Sequence, residues 1–182
     1  NWLVFDNNEF GIVFGKITKQ RFFGLGMYNS DGGGRGIGIK NVGSDESFTY
    51  VGAYYFEMRL PEGTYEIDGL GSPAGGLIPK ERAFKFVAEN NKIKYIGSIV
   101  GDRDLLGYLE RNNISKANAY SAIVSFQEYG LAKSDSFFGK NYKPSEPFIQ
   151  FFVIDERDED IDYFLKEYPQ FKDTEIMVDL IK

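Results

Sequence analysis

The sequence predicts a mainly β fold, an antiparallel β-sandwich with a C-terminal amphipathic helix at about 156–168. Two mid-chain segments, residues 54–67 and 84–97, each have the pattern of strand, tight polar turn and strand. The chain holds 17 Phe and 12 Tyr, which favour the pleated, half-buried surface of a sheet. Its 182 residues, 42% of them hydrophobic, fit one domain with a substantial core. We therefore expect a single sandwich over residues 1–182, with loop insertions near 24–43 and 102–147.

The charge and the missing residue types narrow the possible functions. The formal net charge is -6, and a chain of this charge repels a phosphate backbone, so we expect no nucleic-acid partner. The sequence has no Cys and no His. This excludes disulfides, thiolate nucleophiles, imidazole bases and zinc sites with nitrogen or sulfur ligands. We expect no cofactor and identify no catalytic residue.

Membrane contact is expected only through a lipid anchor that has been removed. No window of about 18 apolar residues is present, so no helix is predicted to span a bilayer. The sequence begins with Asn1 rather than Met. A removed signal segment would explain this start, and so would a boundary of another origin.

The first strand is predicted at residues 11–18, where side chains alternate between two faces. One face carries Val13, Gly15 and Ile17, and the other carries Ile12, Phe14 and Lys16. Residues 24–43 follow and hold eight glycines. Within them, residues 29–34 predict a turn or loop, and residues 37–42 predict a short strand.

Both mid-chain turns contain turn-forming residues. In Leu60-Pro61-Glu62-Gly63-Thr64-Tyr65, proline presets φ and glycine supplies a positive φ, which predicts a hairpin. Apolar and charged side chains alternate over residues 56–60, so that strand has one buried and one wet face. A second hairpin is predicted to turn at Glu89-Asn90-Asn91. Between the two, residues 69–79 predict a loop that crosses from one sheet to the other.

The remaining elements follow from local patterns. Residues 102–113 predict a short helix or an inserted loop, because their leucines have helical spacing. Residues 119–129 fit either a strand or a helix, and the alternation of Ala122, Val124 and Phe126 favours a strand. Residues 130–147 predict a loop. Residues 148–154 are nearly continuously apolar, which predicts a central buried strand. Residues 175–181 predict a last short element, whose type the pattern leaves open.

The C-terminal helix has one apolar stripe. Asp155 can cap its start, and Pro169 stops it. The stripe is formed by residues at positions i, i+3, i+4 and i+7: Ile161, Phe164, Leu165 and Tyr168.

Acidic residues at the start of this helix are the candidate calcium ligands. Asp155, Asp158 and Asp160 belong to an oxygen-rich cluster of the kind that suits calcium. The segment lacks the glycine that an EF-hand needs at its sixth loop position. Acids in a first helical turn also stabilise the helix dipole without any metal. We therefore expect no metal, and these three aspartates are the residues at which calcium would bind.

Other catalytic motifs fail on spacing. In the glycine-rich segment Ile39 occupies the place of a Walker lysine. Ser98 has Ile96 where a nucleophile elbow requires glycine. Glu57 and Glu66 are expected to flank the first turn on facing strands, where charges wet the outer face. No carboxylate pair is thus singled out for glycoside hydrolysis.

Several of these motifs resemble bacterial cell-envelope proteins and lipoproteins with prealbumin-like or immunoglobulin-like sandwich domains. The turn Leu60-Pro61-Glu62-Gly63-Thr64-Tyr65-Glu66-Ile67 resembles their L-P-x-G-x-Y turn, and Tyr95-Ile96-Gly97 resembles the Y-I-G end of the strand that follows. The tail is similar as well, with a strand ending at Val153-Ile154-Asp155, an acidic helix and Tyr168-Pro169. The likeness covers about half of the chain, and residues 24–43 and 102–147 depart from it.

The resemblance implies a location in the cell envelope, periplasmic or on the surface, and carries over no catalytic residue, because the family has no agreed activity. The preferred hypothesis is a non-catalytic envelope sandwich that binds or scaffolds another envelope component, either a protein or a glycan. One alternative is a carbohydrate-binding module that stacks exposed Tyr or Trp on sugars. The other is a hydrolase that uses carboxylates.

Overall fold

The protein is mainly β, and its strands form two sheets. The computed structural model describes residues 9–18, 35–44, 46–52, 55–71, 84–102, 105–113, 119–125 and 150–181. The strands are β1 (Phe10–Thr18), β2 (Arg35–Asn41), β3 (Ser47–Gly52), β4 (Tyr55–Pro61), β5 (Gly63–Gly71), β6 (Phe84–Ala88), β7 (Ile93–Asp102), β8 (Ala119–Ser125), β9 (Gln150–Ile154) and β10 (Ile176–Val178). The helices are α1 (Leu105–Arg111), α2 (Arg157–Glu167) and a 3-10 turn at Pro169–Phe171.

The two sheets share one hydrophobic core. The first sheet has the order β4-β1-β7-β9-β8, with β10 also paired to β7, and the second has the order β3-β2-β5-β6. Val13 and Phe56 from the first sheet and Ile39 and Tyr65 from the second belong to the same buried cluster. This arrangement is consistent with the predicted β-sandwich, in which inward residues of two sheets interdigitate.

The two predicted hairpins are corners between the sheets, so the hairpin prediction is wrong. β4 pairs with β1 in the first sheet, whereas β5 pairs with β2 and β6 in the second. Likewise β6 belongs to the second sheet and β7 to the first. Conversely β5 and β6 pair with each other, so the strands on either side of the predicted crossing loop lie in one sheet. Residues 69–71 belong to β5, and residues 72–79 lie outside the described part.

A hydrogen bond from Tyr65 stabilises the first corner, between β4 and β5. Tyr65 is buried and its hydroxyl donates a hydrogen bond of 2.9 Å to the carbonyl of Pro61. Because β4 and β5 then diverge into different sheets, Glu57 and Glu66 do not face each other. Phe56 and Met58 point into the shared core, so Glu57 lies on the outer face of the first sheet. Glu66 lies on the face of β5 opposite the core residues Tyr65 and Ile67 and is itself buried, so the expected facing pair of solvated carboxylates is not formed.

The first sheet is mixed, so the prediction of a purely antiparallel sandwich is wrong in this sheet. β1 and β7 run parallel. Parallel neighbours need a long connection, and here β2 to β6 form it, so that the chain enters β7 at the end of the sheet where it entered β1. The register of this pair shifts between Phe14 and Lys16. At the shift, a Cβ on Gly15 would lie 2.5 Å from the Gly97 carbonyl oxygen. Gly97 has φ +104°, so both positions require glycine.

Helix α2 forms a third layer on the outer face of the first sheet. Phe164 stacks on Phe14 with ring centroids 4.1 Å apart. The outer cluster joins buried residues of β1, β7, α2 and the 3-10 turn: Ile12, Phe14, Ile93, Tyr95, Phe164 and Phe171. The predicted stripe residues Ile161, Leu165 and Tyr168 pack against it.

The C-terminal segment runs along β7 beside β9. β10 pairs with Ile93, Lys94 and Tyr95 of β7, and β9 pairs with the part of β7 from Ser98 onward. Buried Lys94 forms ion pairs with Glu89 and, at 3.4 Å, with Asp179. The hydrogen bond that Lys94 donates to Glu89 lowers the pKa of Glu89 below its ordinary value.

The other predicted elements compare as follows. The two faces of β1 are confirmed, since Val13 and Ile17 contact the inter-sheet core while Ile12 and Phe14 contact the outer cluster. β2 lies within the predicted insertion near 24–43, and α1 and β8 lie within that near 102–147. β7 continues to Asp102, five residues beyond the predicted end at Gly97. The predicted loops at 29–34 and 130–147 fall outside the described residues.

Candidate functional site

A polar cluster lies between α2 and the first sheet, centred on Asp160. This side chain is fully buried. Its Oδ2 accepts hydrogen bonds of 2.7 Å from the Tyr95 hydroxyl and 2.7 Å from Ser98 Oγ. Tyr95 and Ser98 are themselves fully buried. The backbone N–H of Glu156 donates to the Tyr95 hydroxyl at 3.2 Å, so this hydroxyl links β7 to the start of α2.

Lys16 on β1 completes the cluster, which we call the Asp160 cluster (Lys16, Tyr95, Ser98, Glu156 and Asp160). Its Nζ lies 3.7 Å from Asp160 Oδ1 and 3.4 Å from Glu156 Oε2. A third carboxylate, that of Glu159, lies 3.5 Å away. Asp160 Oδ1 has no hydrogen-bond partner, so the nearby ammonium charge is what compensates its burial.

The charges of the cluster are shifted by burial and by their neighbours. Burial raises the pKa of the Asp160 carboxyl, while the donors Ser98 and Tyr95 act in the opposite direction. Burial alone would lower the pKa of Lys16, but the carboxylates of Asp160 and Glu156 raise it well above its ordinary value. Burial and the adjacent Asp160 carboxylate raise the pKa of Tyr95. The lysine therefore remains protonated and the tyrosine remains a hydrogen-bond donor at neutral pH.

The Asp160 cluster holds α2 on the sheet. One carboxylate satisfies two buried hydroxyls from β7 and pairs with a lysine from β1. Removing one partner of such a buried network leaves an uncompensated polar group, which is strongly unfavourable. Since Asp160, Tyr95 and Ser98 are all closed off from solvent, no substrate reaches them in this arrangement.

An exposed aromatic pair lies beside the cluster. Tyr55 on β4 and Tyr163 on α2 stack with ring centroids 3.7 Å apart and planes within 9°. Tyr163 is 40% exposed. Lys16 Nζ lies 5.7 Å from the centroid of the Tyr55 ring. The stack therefore closes the space between β4 and α2 and presents an aromatic surface to solvent.

Carboxylates surround this aromatic pair. We call the group the α2–β4 surface (Tyr55, Glu57, Glu159, Tyr163 and Glu167). Glu159, Tyr163 and Glu167 are four residues apart on α2 and so lie in one line along the helix. On the strand side, Glu57 Oε1 accepts a hydrogen bond of 2.8 Å from the Tyr168 hydroxyl.

Burial shifts the pKa values of the α2–β4 surface most, and neighbouring carboxylates add to the shifts. Burial raises the pKa of Glu57, with a further increase from the charge of Glu167, while the hydrogen bond from Tyr168 lowers it. Burial raises the pKa of Tyr163, and the charges of Glu167 and Glu57 add to this. Each of these shifts has the sign that a nearby cation would reverse.

The three candidate calcium ligands do not converge. Asp160 is committed to Tyr95, Ser98 and Lys16. Asp155 binds the guanidinium of Arg157 and accepts a hydrogen bond of 3.3 Å from its backbone N–H. Asp158 is exposed. Within the described ranges, no three acidic residues form a group that could hold a metal ion, and calcium binding by these aspartates stays a prediction.

Sequence reasoning missed the Asp160 cluster, although one signal was present. Asp160 lies four residues before Phe164 and eight before Tyr168, so it continues the apolar stripe of α2 toward the helix start. An acid on a buried stripe requires partners. The alternation correctly placed Lys16 on the same face of β1 as Ile12 and Phe14. It could not identify the partners of Lys16, since Glu156 is 140 residues away in the chain.

Comparisons with known proteins add no relative. No family model matches the chain, and no curated protein and no solved structure matches it. Of the helices in the described part of the chain, none is long and apolar enough to cross a membrane.

Proposed function

We propose that this protein is a non-catalytic β-sandwich of the cell envelope that binds or scaffolds another envelope component. The observation that carries the binding part of the proposal is the contrast between the two polar regions. The Asp160 cluster is closed and structural, whereas the α2–β4 surface is open, aromatic and charged. Aromatic side chains are enriched at recognition surfaces, and the rims of such surfaces are polar.

The proposal includes an immunoglobulin-like or prealbumin-like class for the sandwich. The Tyr65 hydroxyl bonds to the Pro61 carbonyl where the chain passes from one sheet to the other. Immunoglobulin-like domains have a comparable tyrosine corner, in which a hydroxyl bonds to backbone a few residues upstream. The parallel pair β1–β7 departs from the strand arrangement of those domains, so the corner supports the class more than the sheet order does.

The envelope part rests on the resemblance of the turn at residues 60–67 and of Tyr95-Ile96-Gly97 to bacterial envelope proteins and lipoproteins. Fractionation of cells that make the full-length protein tests it. We expect the protein in the periplasm or in the detergent-extracted envelope fraction, and recovery in the cytosol would contradict the proposal. Purified protein should also sediment with isolated envelopes.

A carbohydrate-binding module is the second candidate, and the exposed stack of Tyr55 and Tyr163 favours it. An aromatic ring that is 40% exposed can lie against the apolar face of a sugar ring. A glycan array probed with the protein and with Tyr163→Ala tests this candidate. Glycan binding that the substitution abolishes would support it.

A further inference from the structure

Among the described residues at the α2–β4 surface, Lys16 forms ion pairs with neighbouring carboxylates, and these pairs do not include Glu57 or Glu167. Lys16 already faces Glu156, Glu159 and Asp160, at 3.4–3.7 Å. The guanidinium of Arg59 on β4 lies over the ring of Phe10, 4.1 Å from the ring centroid. The carboxylates of Glu57 and Glu167 are not among those that face Lys16, and they lie beside the exposed ring of Tyr163.

We propose that the α2–β4 surface binds an arginine-rich segment of a partner protein, with a guanidinium on the exposed ring of Tyr163 and ion pairs to Glu57 and Glu167. This inference rests on the proposed function and specifies the chemistry of the partner. A guanidinium is planar, so it stacks on an aromatic face while its N–H groups reach carboxylates at the ring edge. A lysine ammonium is a point charge and lacks the planar stacking contact.

Charge selects this occupant over others. The protein has a net charge of -6, and the surface adds a local excess of carboxylates, so phosphate-bearing partners are repelled. A neutral sugar gains from the ring but leaves the charges of Glu57 and Glu167 uncompensated. A basic segment contacts the ring and also pairs with the carboxylates. Electrostatic attraction steers it toward the surface, and the range of this attraction decreases as the salt concentration rises.

A hexa-arginine peptide is the probe, titrated calorimetrically into the folded protein at low salt. Tyr163→Leu removes the aromatic face and keeps the bulk, and Tyr163→Phe keeps the ring. Glu167→Gln removes one carboxylate of the surface. Its matched control is Glu175→Gln, at an exposed residue next to β10, which pairs with β7 and not with β4. Circular dichroism verifies that each variant is folded.

We expect Tyr163→Leu and Glu167→Gln each to weaken peptide binding about threefold to fivefold. Tyr163→Phe and Glu175→Gln should stay within about twofold of the unmodified protein. Equal weakening by Glu167→Gln and Glu175→Gln would mean diffuse attraction to net charge and would overturn the proposal. So would the absence of binding, or binding of chitohexaose that Tyr163→Leu abolishes while the peptide is unaffected.

The outcomes separate this inference from the proposed function. If the protein fractionates with the envelope but the peptide shows no dependence on Tyr163 and Glu167, only the partner chemistry is wrong. If the peptide binds as expected but the protein is cytosolic, the envelope assignment is wrong, whereas the proposal that the α2–β4 surface binds an arginine-rich segment is supported.

Discussion

At Asp160 three elements of the fold meet through one side chain. Its two oxygens connect α2 to β7 through Tyr95 and Ser98 and to β1 through Lys16. The carboxylate is fully buried, so its desolvation must be offset by these partners. A serine, a tyrosine, a lysine and a carboxylate in one place resemble the components of a catalytic site. Here these groups bond to one another in the interface between α2 and the first sheet.

Removing the two hydroxyls that donate to Asp160 should therefore destabilise the protein. We expect Tyr95→Phe and Ser98→Ala each to lower the free energy of unfolding by about 1–3 kcal/mol, because each leaves a buried carboxylate with fewer donors. Urea unfolding followed by circular dichroism measures this. The double variant should deviate from additivity, since both donors share one acceptor atom. A loss below about 0.5 kcal/mol in both single variants, the usual effect of an exposed substitution, would contradict a structural role.

Glu57 gives a pH-dependent prediction at the same scale. Burial raises its pKa, so the folded state holds the proton more tightly than the unfolded state does, and stability is lost as the pH rises through the pKa of the folded state. Glu57→Gln keeps an acceptor for Tyr168 and removes this loss. Its stability relative to the unmodified protein should therefore increase from about pH 4 to about pH 7.

Urea unfolding at several pH values measures that difference. Glu175→Gln, at an exposed position, reports the general effect of removing one negative charge. A difference between Glu57→Gln and the unmodified protein that falls as the pH rises would show that the carboxylate is stabilised rather than penalised by its site.

Helix α2 is the element that closes the outer face of the first sheet. The sequence predicted its apolar stripe, because 3.6-residue periodicity is a local property. It predicted the two faces of β1 for the same reason, since alternation needs no knowledge of the partner strand. It did not predict that the turns at Pro61 and Asn90 join different sheets. A hairpin and a corner share the same turn residues, and the pairing is decided by strands distant in the chain.

The packing of α2 should be as important as that of a core strand. Phe164 is 3% exposed and stacks on Phe14, so Phe164→Ala should lower the free energy of unfolding by about 3–5 kcal/mol. Tyr163→Ala, the adjacent position on the solvent side, should cost less than about 1 kcal/mol. A similar decrease in the free energy of unfolding in the two variants would mean that α2 does not pack on the first sheet through Phe164.

At the scale of the whole molecule, the fold places the buried Asp160 cluster apart from the exposed α2–β4 surface. The inter-sheet core and the Asp160 cluster fix β4, β1, β7 and α2 relative to one another. The α2–β4 surface is then assembled from β4 and α2, two elements that are about 100 residues apart in the chain and that only this topology brings together. Sugar binding by exposed Tyr or Trp was one function that the sequence left open. It could not indicate which tyrosines stack on each other, because this depends on strand pairing between distant parts of the chain.

Both the cluster and the surface depend on β4 pairing with β1, and on β1 running parallel to β7. Cross-strand nuclear Overhauser effects in isotopically labelled protein measure these pairings directly. We predict contacts between the backbones of Val13 and Met58 and between those of Ile12 and Ile93, which are register partners. Contacts between β4 and β5 in a continuous ladder, as in a simple hairpin, would contradict the account.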